Sequence, residues 1–155
     1  MELQTVLASL PAFEEFGPAQ IAVLAQSLEP LECPSGHVLI AQGQQGDGLY
    51  LLLDGLIKVS RRSGDGSEDE ELVELGAGEM FGVLALVDQL PAGASCTALT
   101  PVRVARLSLP GFKRLFVDAL PLARHLQYMI AVQLARDISA ENTRQRRRLM
   151  EQPES

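Results

Sequence analysis

The residues with the clearest chemical potential lie between Leu75 and Ala98, in the run LGAGEMFGVLALVDQLPAGASCTA. Glycines at 76, 78 and 82 permit close backbone approach. Phe81-Gly82 then leads into Val83–Val87, a short apolar stretch that reads as a helical turn. A glycine followed by a helix start presents backbone N–H groups, and such groups suit an anion such as phosphate. Ser95 and Thr97 offer hydroxyls to a ligand oxygen, although hydroxyls on strands usually serve surface or core. Between Ser63 and Val102 the sequence has no Lys, Arg or His. A phosphate held by this segment would meet backbone dipoles and no local cation.

Other chemistry-bearing residues are scattered. His37 follows Gly36 at a strand start and reads as structural or exposed, and His125 has no companion ligands for a metal or haem. Cys33 and Cys96 are too few for an iron–sulfur centre. Being distant in sequence, they also make neither a metal pair nor a disulfide framework, so a reducing cytoplasm is the expected location. No nucleophile–base–acid constellation stands out, so an enzyme is not expected. Arg144, Arg146, Arg147 and Arg148 cluster near the end of the chain. They read first as a solvated helix end. A nucleic-acid footprint of four arginines on an acidic protein would be small, and DNA binding by this chain alone is not expected.

The charge is unevenly spread. The 155 residues are 46% hydrophobic and 21% charged with a formal charge of −7, which suits one domain with a sizeable core. Residues 1–100 hold fifteen acids against three bases, a balance of −12, and residues 101–155 hold ten bases against five acids, a balance of +5. No apolar run approaches the ~18–20 residues that span a bilayer. The N-terminus lacks the basic start of a secretory signal, so no membrane association is expected.

The elements that must position the glycine-rich segment follow from periodicity. Residues 3–30 read as helical, interrupted at Pro11 and restarted at Gly17-Pro18, with Ile21, Leu24, Ala25 and Leu28 on one face. From Cys33 to about Leu109 the chain alternates short β-type runs with turn signals. The runs are His37–Ala41, Leu49–Leu53, Leu56–Ser60 and Val102–Leu107. That pattern predicts a jelly roll or barrel. The acidic run 68–71 falls in an expected hairpin loop after Arg61-Arg62. After Ser108 helical patterning returns, with Ser108 and Asp118 as N-cap candidates and a long helix from about Leu120 to Met150. Between Leu122 and Ile138 that helix is apolar on more than one side and needs two partners. The body supplies one. A second copy of the chain is the simplest other, through Leu122, Leu126, Met129, Ile130, Leu134 and Ile138.

Three portions, GHVLIAQGQQGDGLYLLLDGLIKV, GAGEMFG and LALVDQLPAGASCTAL, together resemble the cyclic-nucleotide-binding domain of the catabolite activator/fumarate-nitrate regulator superfamily over roughly residues 10–140. The resemblance implies a mainly β fold with flanking α elements. An N-terminal helical segment (1–32), a β jelly roll (33–109), C-terminal helices that make a homodimer (110–150) and a tail (151–155) then form one domain. The family's phosphate-binding cassette reads about F-G-E-L-A-L, a spacer, then P-R-A-A, with the Glu on the ribose and the Arg on the cyclic phosphate. Phe81, Gly82, Leu84, Ala85, Leu86, Pro91, Ala94 and Ser95 fit that pattern, and Gly93 lies within it. Val83 stands at the Glu position and Ala92 at the Arg position. Hydrogen bonds to charged groups contribute about 1.5–3 kcal/mol each, so losing both lowers affinity roughly 10²–10⁴-fold.

The expectation is therefore a non-catalytic regulatory module whose ordinary cyclic-AMP or cyclic-GMP binding is weak or lost, acting through homodimerisation or a protein partner. Three states of the cassette Gly82–Ser95 stay open. It is filled by its own side chains, or takes a less anionic ligand, or binds a cyclic nucleotide with a cation from Arg103, Arg106 or the long helix. A transcription-regulator-like chain without its DNA-binding domain is the weaker alternative, since only a polar tail follows Ile138.

Overall fold

The computed structural model describes residues 2–46, 48–62, 70–83 and 90–151, with backbone alone at 140, 141, 144, 148 and 151. Two short helices open the chain, α1 (Leu3–Ser9) and α2 (Pro18–Ser27), with a 3₁₀ turn at Pro11–Phe13 between them. Gly17 is the N-cap of α2 and Pro18 fills its first turn, as the sequence predicts. Among the described residues eight strands follow: β1 (Glu29–Cys33), β2 (Val38–Ile40), β3 (Gly48–Asp54), β4 (Ile57–Arg61), β5 (Glu70–Leu75), β6 (Met80–Phe81), β7 (Ser95–Ala98) and β8 (Val102–Ser108). Two helices close it, α3 (Leu109–Asp118) and the 32-residue α4 (Leu120–Glu151). Ser108 caps α3, its Oγ accepting from the Gly111 N–H at 3.1 Å. Asp118 is the last residue of α3 rather than a cap, and Ala119 makes the break with φ −154° and ψ 69°.

All strand pairs are antiparallel, in two four-stranded sheets ordered β1-β8-β3-β6 and β2-β7-β4-β5. This is the expected jelly-roll architecture with flanking helices. The first sheet is the middle layer and is apolar on both faces. Leu49, Leu51, Leu53, Met80, Ala105 and Leu107 turn toward the helices, while Leu52, Phe81, Val102 and Val104 turn toward the second sheet. Burial on both faces explains why β3 reads as an unbroken apolar run rather than an alternating one. At one end the crossovers β3→β4 and β7→β8 lie against each other: Leu56 N–H donates to Thr100 Oγ1 at 3.0 Å, and Leu99 N–H to Leu56 O at 2.9 Å. Gly55 (φ +97°) sits there because a Cβ would lie 2.5 Å from Pro101 O.

β1 begins four residues before the boundary expected at Cys33. Glu29 and Glu32 are exposed, so the segment has no alternating apolar signal, yet it pairs with β8 from Glu29↔Arg106 to Cys33↔Val102. It is an edge strand, where Pro30 and outward charges blunt pairing with other chains.

Candidate functional site

The described part of the cassette hangs on β6, only two residues long. Phe81 pairs with Tyr50 of β3, and their rings stack at 5.0 Å with an interplanar angle of 9°. Gly82 follows with φ +75°, and a Cβ there would lie 2.8 Å from Ile40 Cδ1 and 3.2 Å from Gly48 O. Only glycine meets both conditions. Val83 turns inward, 4% exposed, into the helix-side core. Leu84 and Ala85 lie outside the described residues, and so does the expected helical turn beyond Val83, which is itself helical.

The second half resumes at Leu90. Pro91 bridges to Gln45, Ala92 N–H donates to Gln44 O at 2.8 Å, and Gly43 N–H donates to Ala92 O at 2.8 Å. Ser95 Oγ accepts from Gln42 N–H at 2.9 Å. Gly93 is an exposed bend and Ala94 is half-buried. Both described halves therefore flank the connection between β2 and β3: Gly82 touches its ends, and residues 91–95 clamp its middle. The Gln42 side chain ties this connection to the end of β4, its Nε2 donating to Arg62 O at 3.1 Å and its Oε1 accepting from Arg62 N–H at 2.7 Å. Sequence reasoning missed Gln42 and Arg62, because a side-chain amide bonding backbone twenty residues away has no local pattern.

Two of the cations considered for this segment are engaged elsewhere. Arg103 meets Glu32 at 3.4 Å and Arg106 meets Glu29 at 3.1 Å, both across the β1–β8 pair. In the first sheet that pair lies on the opposite side of β3 from β6. Burial, and secondarily Asp137, push the Cys96 thiol up to about 12, so it is an inert core group. His37 is exposed. His125 is structural: its Nε2 lies 2.6 Å from Ala12 O, with its ring against Phe16 and Phe13. Among the described residues no group of His, Cys, Asp and Glu is arranged to hold a metal ion. No described helix is long and apolar enough to cross a membrane.

Of the residues predicted for a dimer contact, Leu122, Leu126 and Ile130 are buried in this chain's own core, and Met129 and Leu134 pack half-buried against it. Ile138 is the outward one, 61% exposed.

Two four-stranded antiparallel sheets, flanked by N-terminal helices and backed by a long terminal helix, are the architecture of a known class of regulatory domain. Residues 30–118 match the family described as the cyclic nucleotide-binding domain, and the chain belongs to that family. It is 32% identical over 134 residues to a CRP-like cAMP-activated global transcriptional regulator of Mycobacterium tuberculosis, covering 86% of this chain and 59% of the regulator. It thus spans somewhat over half of that relative. Among solved structures it is similar to the Thermus thermophilus catabolite activator protein, with TM-score 0.72 and 27% identity over 87% of this chain and 61% of that one. It is also similar to the regulatory subunit of a cAMP-independent protein kinase A from Trypanosoma cruzi bound to guanosine. There the TM-score is 0.63 and the identity 26%, over 77% of this chain and 43% of that one. Domains of this family are typically non-catalytic regulatory modules.

Proposed function

We propose that this chain is a regulatory module with a degenerate cassette, in which ordinary cyclic-nucleotide binding is weak or lost, and that it signals as a homodimer. The observation that carries the reading is the pair Val83 and Ala92. The first places an apolar side chain in the core where the family has a ribose-binding carboxylate. The second places a methyl group on backbone already bonded to residues 43 and 44 where the family has the phosphate's arginine. With both gone and no cation between residues 63 and 102, the cassette itself supplies no charge to neutralise a bound phosphate. Calorimetric titration with cyclic AMP, cyclic GMP and cyclic di-GMP tests this: no saturable binding in the micromolar range is expected, and saturable micromolar binding overturns it.

A second reading, a pocket retuned for an uncharged ligand, draws support from the Trypanosoma cruzi relative. That protein is cAMP-independent and its structure holds guanosine, a nucleoside without phosphate. Guanosine and adenosine belong in the same titration, and binding by either favours this reading. The similarity to the mycobacterial regulator leaves a place for this chain as the sensor part of a transcription regulator.

For the homodimer, support comes from the outward side of α4. Tyr128, Ala131, Ala135, Ile138, Asn142, Gln145 and Leu149 are all exposed and recur at alternating spacings of three and four. That is the seam spacing of a coiled coil; small alanines allow close approach, and a single seam asparagine favours one register. Sedimentation of the wild type and Ala135→Glu separates the outcomes. A dimer that the variant converts to a folded monomer is expected, whereas a wild-type monomer at micromolar concentration refutes the proposal.

A further inference from the structure

The second half of the cassette stands away from the sheet just before β7. β4 and β7 pair with Ser60 opposite Ser95. That register, carried two residues on, would set Gly93 opposite Arg62. Gly93 is instead an exposed bend, and the Arg62 peptide groups meet the side-chain amide of Gln42. Its Oε1 accepts from the Arg62 N–H at 2.7 Å, and its Nε2 donates to the Arg62 C=O at 3.1 Å. An amide that both accepts from and donates to one residue reproduces what a facing residue gives in a hydrogen-bonded antiparallel pair. The displaced strand end is taken up by the connection between β2 and β3. Gly43 N–H donates to Ala92 O and Ala92 N–H to Gln44 O, each at 2.8 Å, and Gln45 bridges Pro91. These contacts hold only if the connection stays in place. Gln42 joins it to both strands, through its side chain to the end of β4 and through its N–H to Ser95 Oγ on β7 at 2.9 Å. Gln44, two residues on and also exposed, enters the same contacts through its backbone C=O.

Resting on the reading of residues 91–95 as the second half of the cassette, we propose that Gln42 is the positioning residue of that half. Its amide fills the place of residue 93 beside Arg62, which releases residues 91–94 from the sheet and fixes the backbone of residue 92. The family carries its phosphate arginine at that position, so a side chain grown there takes its direction from backbone that Gln42 holds. Gln42→Met keeps the length of the side chain and makes neither bond to Arg62. Losing two neutral hydrogen bonds should raise the open population of the clamp at least about fivefold. Gln44→Met leaves every one of the backbone contacts intact and serves as the matched control.

Native-state hydrogen exchange followed by NMR tests this in the wild type, Gln42→Met and Gln44→Met. In the wild type the Gly43, Arg62 and Ala92 amides should open as one unit, with the same free energy and the same dependence on urea. In Gln42→Met, Gly43 and Ala92 should lose protection at least about fivefold. Leu52 N–H, bonded to Glu79 O, and Leu99 N–H, bonded to Leu56 O, should keep theirs, and Gln44→Met should match the wild type. Protection lost equally at Leu52 and Leu99 would mean general destabilisation and overturn the assignment. So would unchanged protection of Ala92, or independent opening of the three amides in the wild type. Calorimetry supplies the functional readout: the gain in cyclic-AMP affinity from Ala92→Arg should shrink at least about fivefold when Gln42→Met is added. An equal gain with and without Gln42→Met overturns the positioning role. Exchange is read without ligand, so a wild type that binds cyclic AMP tightly would refute the weakened cassette and not the role of Gln42.

Discussion

Restoring the missing cation is the sharpest probe of the cassette. In Ala92→Arg the new side chain grows from fixed backbone, since the residue's N–H and C=O are each bonded at 2.8 Å to the β2–β3 connection. Residue 92 is half-buried, so an arginine there has access to solvent and to any phosphate seated in the cassette. A charge-assisted bond contributes about 1.5–3 kcal/mol, which converts to roughly 10- to 150-fold tighter binding of cyclic AMP. Calorimetry with cyclic AMP and adenosine, at low and high salt, resolves the cause. The gain should belong to the phosphate-bearing ligand alone and shrink as salt screens the pair. Equal gains for adenosine, or no gain in a variant that stays folded, would show that the absent arginine is not what limits binding. Val83→Glu is the poorer probe because it drives a carboxylate into the apolar core.

Three further outcomes follow from packing. Gly82→Ala should destabilise the fold by about 1–3 kcal/mol in urea titration, since it adds a Cβ against Ile40 at positive φ; full stability would contradict the described geometry. Leu122→Ala, at a fully buried helix position, should cost about 2–5 kcal/mol, and a cost below that range would mean the helix–roll core collapses around the gap. With an aromatic disulfide reagent at about pH 8, Cys33 should react in the native state and Cys96 only on unfolding, because a thiol of pKa about 12 is thiolate in roughly one molecule in 10⁴.

Local chemistry carried most of the legible architecture. Gly17-Pro18 and Ser108-Leu109-Pro110 announce their helix starts, and the doubly buried β3 announces itself by composition. β1 did not, because its glutamates point outward and only pairing with a strand more than seventy residues away makes it a strand. β6 is too short for any periodicity. On α4 the period of 3.6 revealed more than one apolar side without revealing which side meets which partner. Leu122, Leu126 and Ile130 went to the chain's own core, and the outward stripe is marked by small and polar residues that an apolar count passes over. Of the site, Gly82, Val83 and residues 91–95 were legible as a motif, whereas the Gln42 clamp depends on tertiary neighbours.

The ion pairs between β1 and β8 bear on how the chain is made. Glu29 faces Arg106 and Glu32 faces Arg103 as direct cross-strand partners, so a slip of one residue would separate both pairs. Strand β1, which pairs with β8 alone among the described strands, can therefore find its register only against β8. During translation everything up to residue 102 is synthesised before the layer beneath the helices can close, and the loop to be closed at Glu29 and Arg106 spans 77 positions. Such non-local closure predicts slow, late folding on the ribosome, with the N-terminal helices waiting for β8 to emerge.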